Sequence, residues 1–135
     1  MSRVSGVIIK DNKILLMHRR KNGREYWVFP GGKVEPGETP EQAIAREIKE
    51  ETSLEISKVF EVITYFDEDK AKHFIAICSV GKGKAMLGGP EKERNSENNW
   101  YKPEWIDLEK AKKMKNLYPV KGKQYLLISN TRTPL

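Results

Sequence analysis

Residues 30–52, PGGKVEPGETPEQAIAREIKEET, constrain the fold of this chain more than any other stretch. Residues 30–38 hold three glycines and two prolines, a density that dictates a loop. A helix must begin directly after it. Thr39 suits the N-cap, Pro40 the first helical position, and Gln42 completes a capping box, so a helix is expected from Pro40 to about Thr52. A loop that leads into a helix N-terminus presents outward N–H groups and a positive dipole end, which favour anions.

Glu47, Glu50 and Glu51 stand at i, i+3 and i+4 in that helix. Like charges so placed cost roughly 0.2–0.5 kcal/mol per pair. With about 100° of turn per residue, Glu47 and Glu51 border the apolar arc of Ala43, Ile44 and Ile48, while Lys49 and Arg46 fall on the other side. Arg46 can pair with Glu50 at i+4, but Glu47 and Glu51 have no such helical partner. Carboxylates crowded near a low-dielectric surface need protons, cations or a metal. A metal site, an ordinary solvated face and a structural ion-pair network all fit the helix taken alone. If a metal binds, the donors are oxygens. Neither histidine has metal-ligand spacing to the glutamates, and Cys78 is remote, which suits Mg²⁺ or Mn²⁺ together with substrate phosphates.

The rest of the chain reads as a mixture of strands and helices without regular βα alternation. Residues 4–9 and 14–17 form a hairpin across KDNK, Asn22-Gly23 is a turn, and 26–29 (YWVF) is a short strand. Residues 54–66 and 72–80 are longer strands joined by DEDK. Residues 81–90 are a Gly/Lys stretch and 91–99 a polar loop, WYKPEWI is extended, and 107–115 and about 119–129 form one or two terminal helices. The expected architecture is a sheet covered by helices.

From Gly32 the chain runs G-x5-E-x7-REI-x-EE-x-SL, through Glu38, Arg46, Glu47, Ile48, Glu50, Glu51, Ser53 and Leu54. This resembles the Nudix box, G-x5-E-x7-REU-x-EE-x-GU with U aliphatic, at every defined position but Ser53. YWVFPGG before it looks like the family's approach strand. Ser53 replaces a glycine where the helix ends, and a left-handed cap costs a non-glycine residue roughly 1–2 kcal/mol. The resemblance implies one domain over residues 1–135, an α/β (α+β) fold of the α/β/α sandwich type around a mixed sheet, and a MutT-like enzyme. Such an enzyme hydrolyses a nucleoside diphosphate linked to a group X, with Mg²⁺ or Mn²⁺ activating the attacking water. The favoured substrates are nucleoside triphosphates, including oxidised ones. ADP-ribose and dinucleoside polyphosphates are alternatives within the class, and a non-enzymatic nucleotide sensor or RNA-binding module lies outside it. Position by position, Glu47, Glu50 and Glu51 resemble the metal-binding carboxylates, joined by the backbone carbonyl of Gly31. Arg46 and Glu38 resemble residues that hold loop and helix together. The general base is expected at Glu47, with Glu97 as runner-up.

Arg19 and Arg20 end the second strand, and analogy favours Arg20 as a phosphate ligand. Trp100 lies in a polar segment and is the aromatic chosen to stack on a base. Trp27, Phe74, Tyr101 and Trp105 read as packing residues, His18 and His73 as packed or solvent-facing, and Cys78 as a small buried apolar group. The net charge of +6 is compatible with polyanions such as nucleic acid or nucleotide phosphates, but the lysines are scattered rather than blocked, which favours a surface that only keeps the protein soluble; a nucleic-acid partner is not expected. No apolar run reaches the ~18 residues of a membrane span, and the N-terminal apolar patch is too short for a signal peptide. A single cysteine permits no intrachain disulfide, so a cytoplasmic monomer or homodimer with no membrane contact is expected.

Overall fold

A computed structural model describes residues 2–83, 85 and 99–128. The elements run β1 (Arg3–Lys10), β2 (Lys13–Lys21), β3 (Arg24–Val28), β4 (Gly31–Lys33), α1 (Pro40–Thr52), β5 (Ile56–Phe66), β6 (Lys72–Val80), β7 (Asn99–Asp107), α2 (Leu108–Lys113), β8 (Leu117–Tyr118) and α3 (Val120–Ile128). The strands form one mixed sheet in the order β5-β6-β1-β2-β3-β8, with β4 paired to β1 and β7 to β2. β1 runs parallel to β6 and antiparallel to β2 and β4.

Alternation along the central strands builds a core on each face. Val4 and Ile8 of β1, with Ala76 and Cys78 of β6, pack against Ala43, Ile44 and Ile48 of α1. Val7 and Ile9, with Ile75 and Ile77, pack in the opposite cluster with Leu108 and Ala111 of α2 and Leu126 of α3. Helices therefore cover both faces, the α/β/α arrangement expected. Ile44 and Ile48 are fully buried, each worth about 1.5–3 kcal/mol of transfer free energy. Gly6 lets α1 lie this close, since a Cβ there would come within 3.1 Å of Ile44 Cδ1. Burial pushes the Cys78 thiol up to about 12, in keeping with an inert packing role. Among the described residues, no helix is long and apolar enough to cross a membrane.

The α1 termini follow the local signals. Thr39 Oγ1 accepts the Gln42 N–H at 3.1 Å, and the Gln42 side chain accepts the Thr39 N–H at 2.9 Å. At the other end Ser53 takes the left-handed cap itself, with φ 65° and ψ 4°, and its N–H donates to the Lys49 carbonyl at 3.0 Å. Both two-residue turns also have left-handed residues: Asp11 and Asn12 in the first, Asn22 and Gly23 in the second.

Two differences from the sequence reading shape the site. Gly31–Lys33, expected as loop, form β4 against β1, with Ser5 opposite Gly31 and Arg3 opposite Lys33. β2 runs from Lys13 to Lys21, beyond the 14–17 stretch read as strand, and pairs along its full length with β7. β1 meets β2 only at Ile9↔Ile14 and Lys10↔Lys13. Beyond that point the two strands part, β4 takes the vacated edge, and the Gly6 N–H donates to the Pro30 carbonyl at 2.7 Å. A cleft opens where they part.

Candidate active site

The cleft has a volume of about 830 Å³. Its walls come from both sides of the split: Arg3 and Ser5 of β1, Met17 and Arg19 of β2, the Gly31–Lys33 strand, and Tyr101 of β7. Glu47 and Glu51 of α1 line it as well. The helical geometry inferred from spacing thus places these two carboxylates on the inner border of α1, where the side chain of Glu47 is only 14% exposed.

Backbone and side chains hold the two glutamates in place. Glu51 Oε1 accepts the Gly31 N–H at 2.9 Å, tying the end of α1 to the start of β4. Glu47 lies against Gly32, where an added Cβ would come within 2.5–2.6 Å of its carboxyl atoms. Arg46 then organises the loop around Glu47. Its Nε and Nη2 donate to the two oxygens of Glu38, both at 2.9 Å, its Nη1 donates to Glu47 Oε1 at 2.8 Å, and its Nη2 also reaches the Lys33 carbonyl at 3.0 Å. Glu47 thus finds a partner in the adjacent Arg46, outside the i+4 spacing considered in the sequence. A neighbouring residue reaches it because the fork of Arg46 folds along the helix toward the loop. The expected pairing of Arg46 with Glu50 is present at 3.7 Å.

Glu50 is consequently drawn to Arg46 and does not line the cleft. Among the described residues, no three acidic, histidine or cysteine side chains converge as a metal cluster. Of the three glutamates expected to bind metal, Glu47 and Glu51 line the cleft, beside Gly31. These carboxylates suit Mg²⁺ or Mn²⁺, since Mg²⁺ typically takes one or two carboxylates and completes its shell with waters and substrate phosphates. Glu97 lies outside the described residues.

The Arg46 fork, followed by a backbone hydrogen bond from Glu35, holds the Glu38 carboxyl well below its ordinary range, at about 2. The same contacts, Glu38 first, raise the Arg46 guanidinium further. A depressed folded-state value means that the stabilisation from Glu38 is fully present above the ordinary carboxylate range, near 4.5, and is lost as pH falls toward 2. Thermal melts at pH 7, 5, 4 and 3 should therefore show the wild type losing more stability below pH 4.5 than Glu38→Gln. Parallel acid profiles would show that the pair stores no pH-dependent stability.

Strand register places the two residues expected to bind substrate away from this cleft. Because β2 alternates, Met17 and Arg19 face the cleft, with their register partners Val28, Tyr26 and Tyr101. Arg20 and Trp100 pair with one another on the opposite face and are not among the cleft residues. There Arg20 lies 5.3 Å from the Trp100 ring and 3.7 Å from Glu25. His18 packs flat on Trp27 at 4.1 Å and contacts Glu25 and Glu104, a packed role as expected. The signal that would have found Arg19 was available. A two-residue turn at Asn22-Gly23 sets Arg19 opposite Tyr26 and Met17 opposite Val28, on one face.

His73 also lines the cleft. Its Nδ1 accepts the Arg3 N–H at 3.2 Å, so Nε2 carries the proton and donates to Asp67 Oδ2 at 2.7 Å. That bond, with backbone N–H groups of the β5–β6 turn, holds the Asp67 carboxyl below its usual range.

A family model described as NUDIX domain matches residues 1–125. An ADP-ribose pyrophosphatase of Methanocaldococcus jannaschii is 38% identical over 82% of this chain, which spans 64% of that protein's length. An 8-oxo-dGTP diphosphatase of Buchnera aphidicola is 34% identical over 81% of this chain and 78% of its own. The crystal structure of a MutT protein from Methanosarcina mazei superposes with a TM-score of 0.64 at 23% identity, over 94% of this chain and 90% of that one, a likeness of fold.

Proposed function

The chain belongs to the Nudix family, and from that premise we propose that it is a pyrophosphohydrolase dependent on Mg²⁺ or Mn²⁺. It cleaves nucleoside diphosphate-X substrates, and its preferred substrates are nucleoside triphosphates, oxidised ones included, which it converts to monophosphate and pyrophosphate. The observation that carries this reading is the placement of Glu47 and Glu51 on one helix edge, beside Gly31, at the wall of a cleft large enough for a nucleotide. The name of the Buchnera relative supports the triphosphate preference.

The geometry supports the following division of labour. Glu47 and Glu51, with the backbone of Gly31, would hold the cation. A divalent ion bound there shields phosphate oxygens and lowers the pKa of water. Arg3, Lys33 and Lys121 line the same cleft and offer positive charge to the phosphates. Glu47, oriented by Arg46 through Oε1, is the group that takes the proton of the attacking water. Arg46 and Glu38 act as positioning residues, since their contacts run to loop and helix.

The test is a panel of nucleoside triphosphates, an oxidised guanine triphosphate and ADP-ribose with Mg²⁺, read as pyrophosphate or phosphate released, with Glu51→Gln alongside. Pyrophosphate from triphosphates, lost in Glu51→Gln, is the expected result. Faster turnover of ADP-ribose would favour the second reading, which the name of the archaeal relative supports. Full activity in Glu51→Gln would remove the metal assignment.

A further inference from the structure

Arg46 and Arg19 differ in what they are bound to. Arg46 is fully engaged, with hydrogen bonds to two carboxylates and a carbonyl. Arg19 is not. Its guanidinium lies 4.5 Å over the ring of Tyr101, and its Nη2 reaches Asn99 Oδ1 only at 3.4 Å. Its Nε is buried with no hydrogen-bond partner among the described residues. A desolvated donor without an acceptor costs about 1–3 kcal/mol, and folded proteins leave few such groups. A planar cation resting on an aromatic ring, in a cleft and short of acceptors, is prepared for a flat ligand that brings acceptor atoms.

The surroundings fit a base. Met17, Val28 and Tyr26 share the sheet face of Arg19 and are apolar or aromatic, and Tyr118 meets Tyr26 edge-on at 6.2 Å. No carboxylate occurs among the register partners of Met17 and Arg19, which are Val28, Pro103, Tyr26 and Tyr101. Gly31, at the acidic end, is five residues from Tyr26, at most roughly 17 Å of extended chain. An elongated ligand can therefore touch both ends.

We propose that Arg19 is the residue that selects the base, reading the acceptor edge of a guanine-type base while Tyr101 fixes the plane of its guanidinium. The inference rests on the reading of the cleft as a nucleotide site. Guanidinium has only donors. Guanine offers it the acceptors O6 and N7, whereas adenine sets an amino donor beside N7. The amino group of adenine would meet another donor in Arg19, so adenine is disfavoured there.

Equilibrium binding of GMP and AMP, measured by calorimetry, tests this without any turnover. Wild type should prefer GMP by roughly tenfold or more, the discrimination of one two-point arginine contact. In Arg19→Ala the preference should collapse to within about threefold, through weaker GMP binding, and Arg19→Lys should restore only part of it. Arg19→Gln, closer in length, serves if the alanine variant does not fold. In the matching kinetics, Arg19→Ala should raise KM for GTP more than it lowers kcat. A wild type that binds neither nucleotide or both equally, or a GMP preference that survives in Arg19→Ala and Arg19→Gln, overturns the assignment. A GMP preference that depends on Arg19 in a protein that hydrolyses no nucleotide would instead overturn the proposed reaction and leave the selector standing.

Discussion

Glu47→Gln is expected to lower kcat by roughly 10²–10⁴-fold, the range a positioned general base supplies, with little change in the melting temperature. The substitution keeps shape and volume, and the amide oxygen of glutamine can still accept the Arg46 N–H now received at 2.8 Å. Arg46 would also retain both bonds to Glu38. What is lost is the capacity to take a proton and the negative charge at the cleft wall. The check is kcat at saturating nucleotide and Mg²⁺ together with a thermal melt. A variant that loses stability and activity together would mean that Glu47 acts mainly as an anchor for Arg46. Undiminished kcat would move the base elsewhere, with Glu97 as the first alternative to try.

The second large effect should appear in the fold. A Cβ on Gly31 would stand 2.0 Å from the Val4 carbonyl oxygen and 2.9 Å from Ser5 Cα. Both obstacles are backbone of β1, so no rotamer change relieves them, and φ at this residue is +154°. Gly31→Ala must push β4 away from β1, and with it the Gly31 N–H that fixes Glu51. A destabilisation of about 3 kcal/mol is expected, at the upper end of ordinary overpacking costs. That corresponds to a drop in melting temperature of roughly 10 °C for a domain of this size. Urea unfolding and a melt check it. An alanine variant as stable as wild type would show that β4 can lift from β1 at no cost.

The position of Gly31 illustrates what the sequence could and could not disclose. Two adjacent glycines between prolines read as loop on local grounds, yet they form a strand because β2 leaves β1 and an unpaired edge must be covered. That vacancy depends on register across the whole sheet. Local features were legible. The capping box at Thr39 and Gln42, the left-handed Ser53, and the inner placement of Glu47 and Glu51 each depend on residues within a turn or two of themselves. That Arg20 and Trp100 lie away from the cleft was not legible, for the opposite reason. Strand parity turns on a single residue of register, and one step exchanges Arg19 for Arg20. Glu50 lies 3.7 Å from Arg46, an arginine whose main partner, Glu38, belongs to the preceding loop.

The central strand has a further consequence, for how the chain reaches this structure. β1 finds its parallel neighbour in β6, pairing Val4 with Phe74, while β2 finds β7, pairing Lys13 with Asp107. A nascent chain released only as far as α1 can close the first hairpin and wind the helix, but most of the platform beneath the helix has yet to be synthesised. Native topology therefore arrives late and cooperatively. Contacts so distant along the chain set a slow folding rate, in the range of mixed α/β domains and well below that of helical bundles.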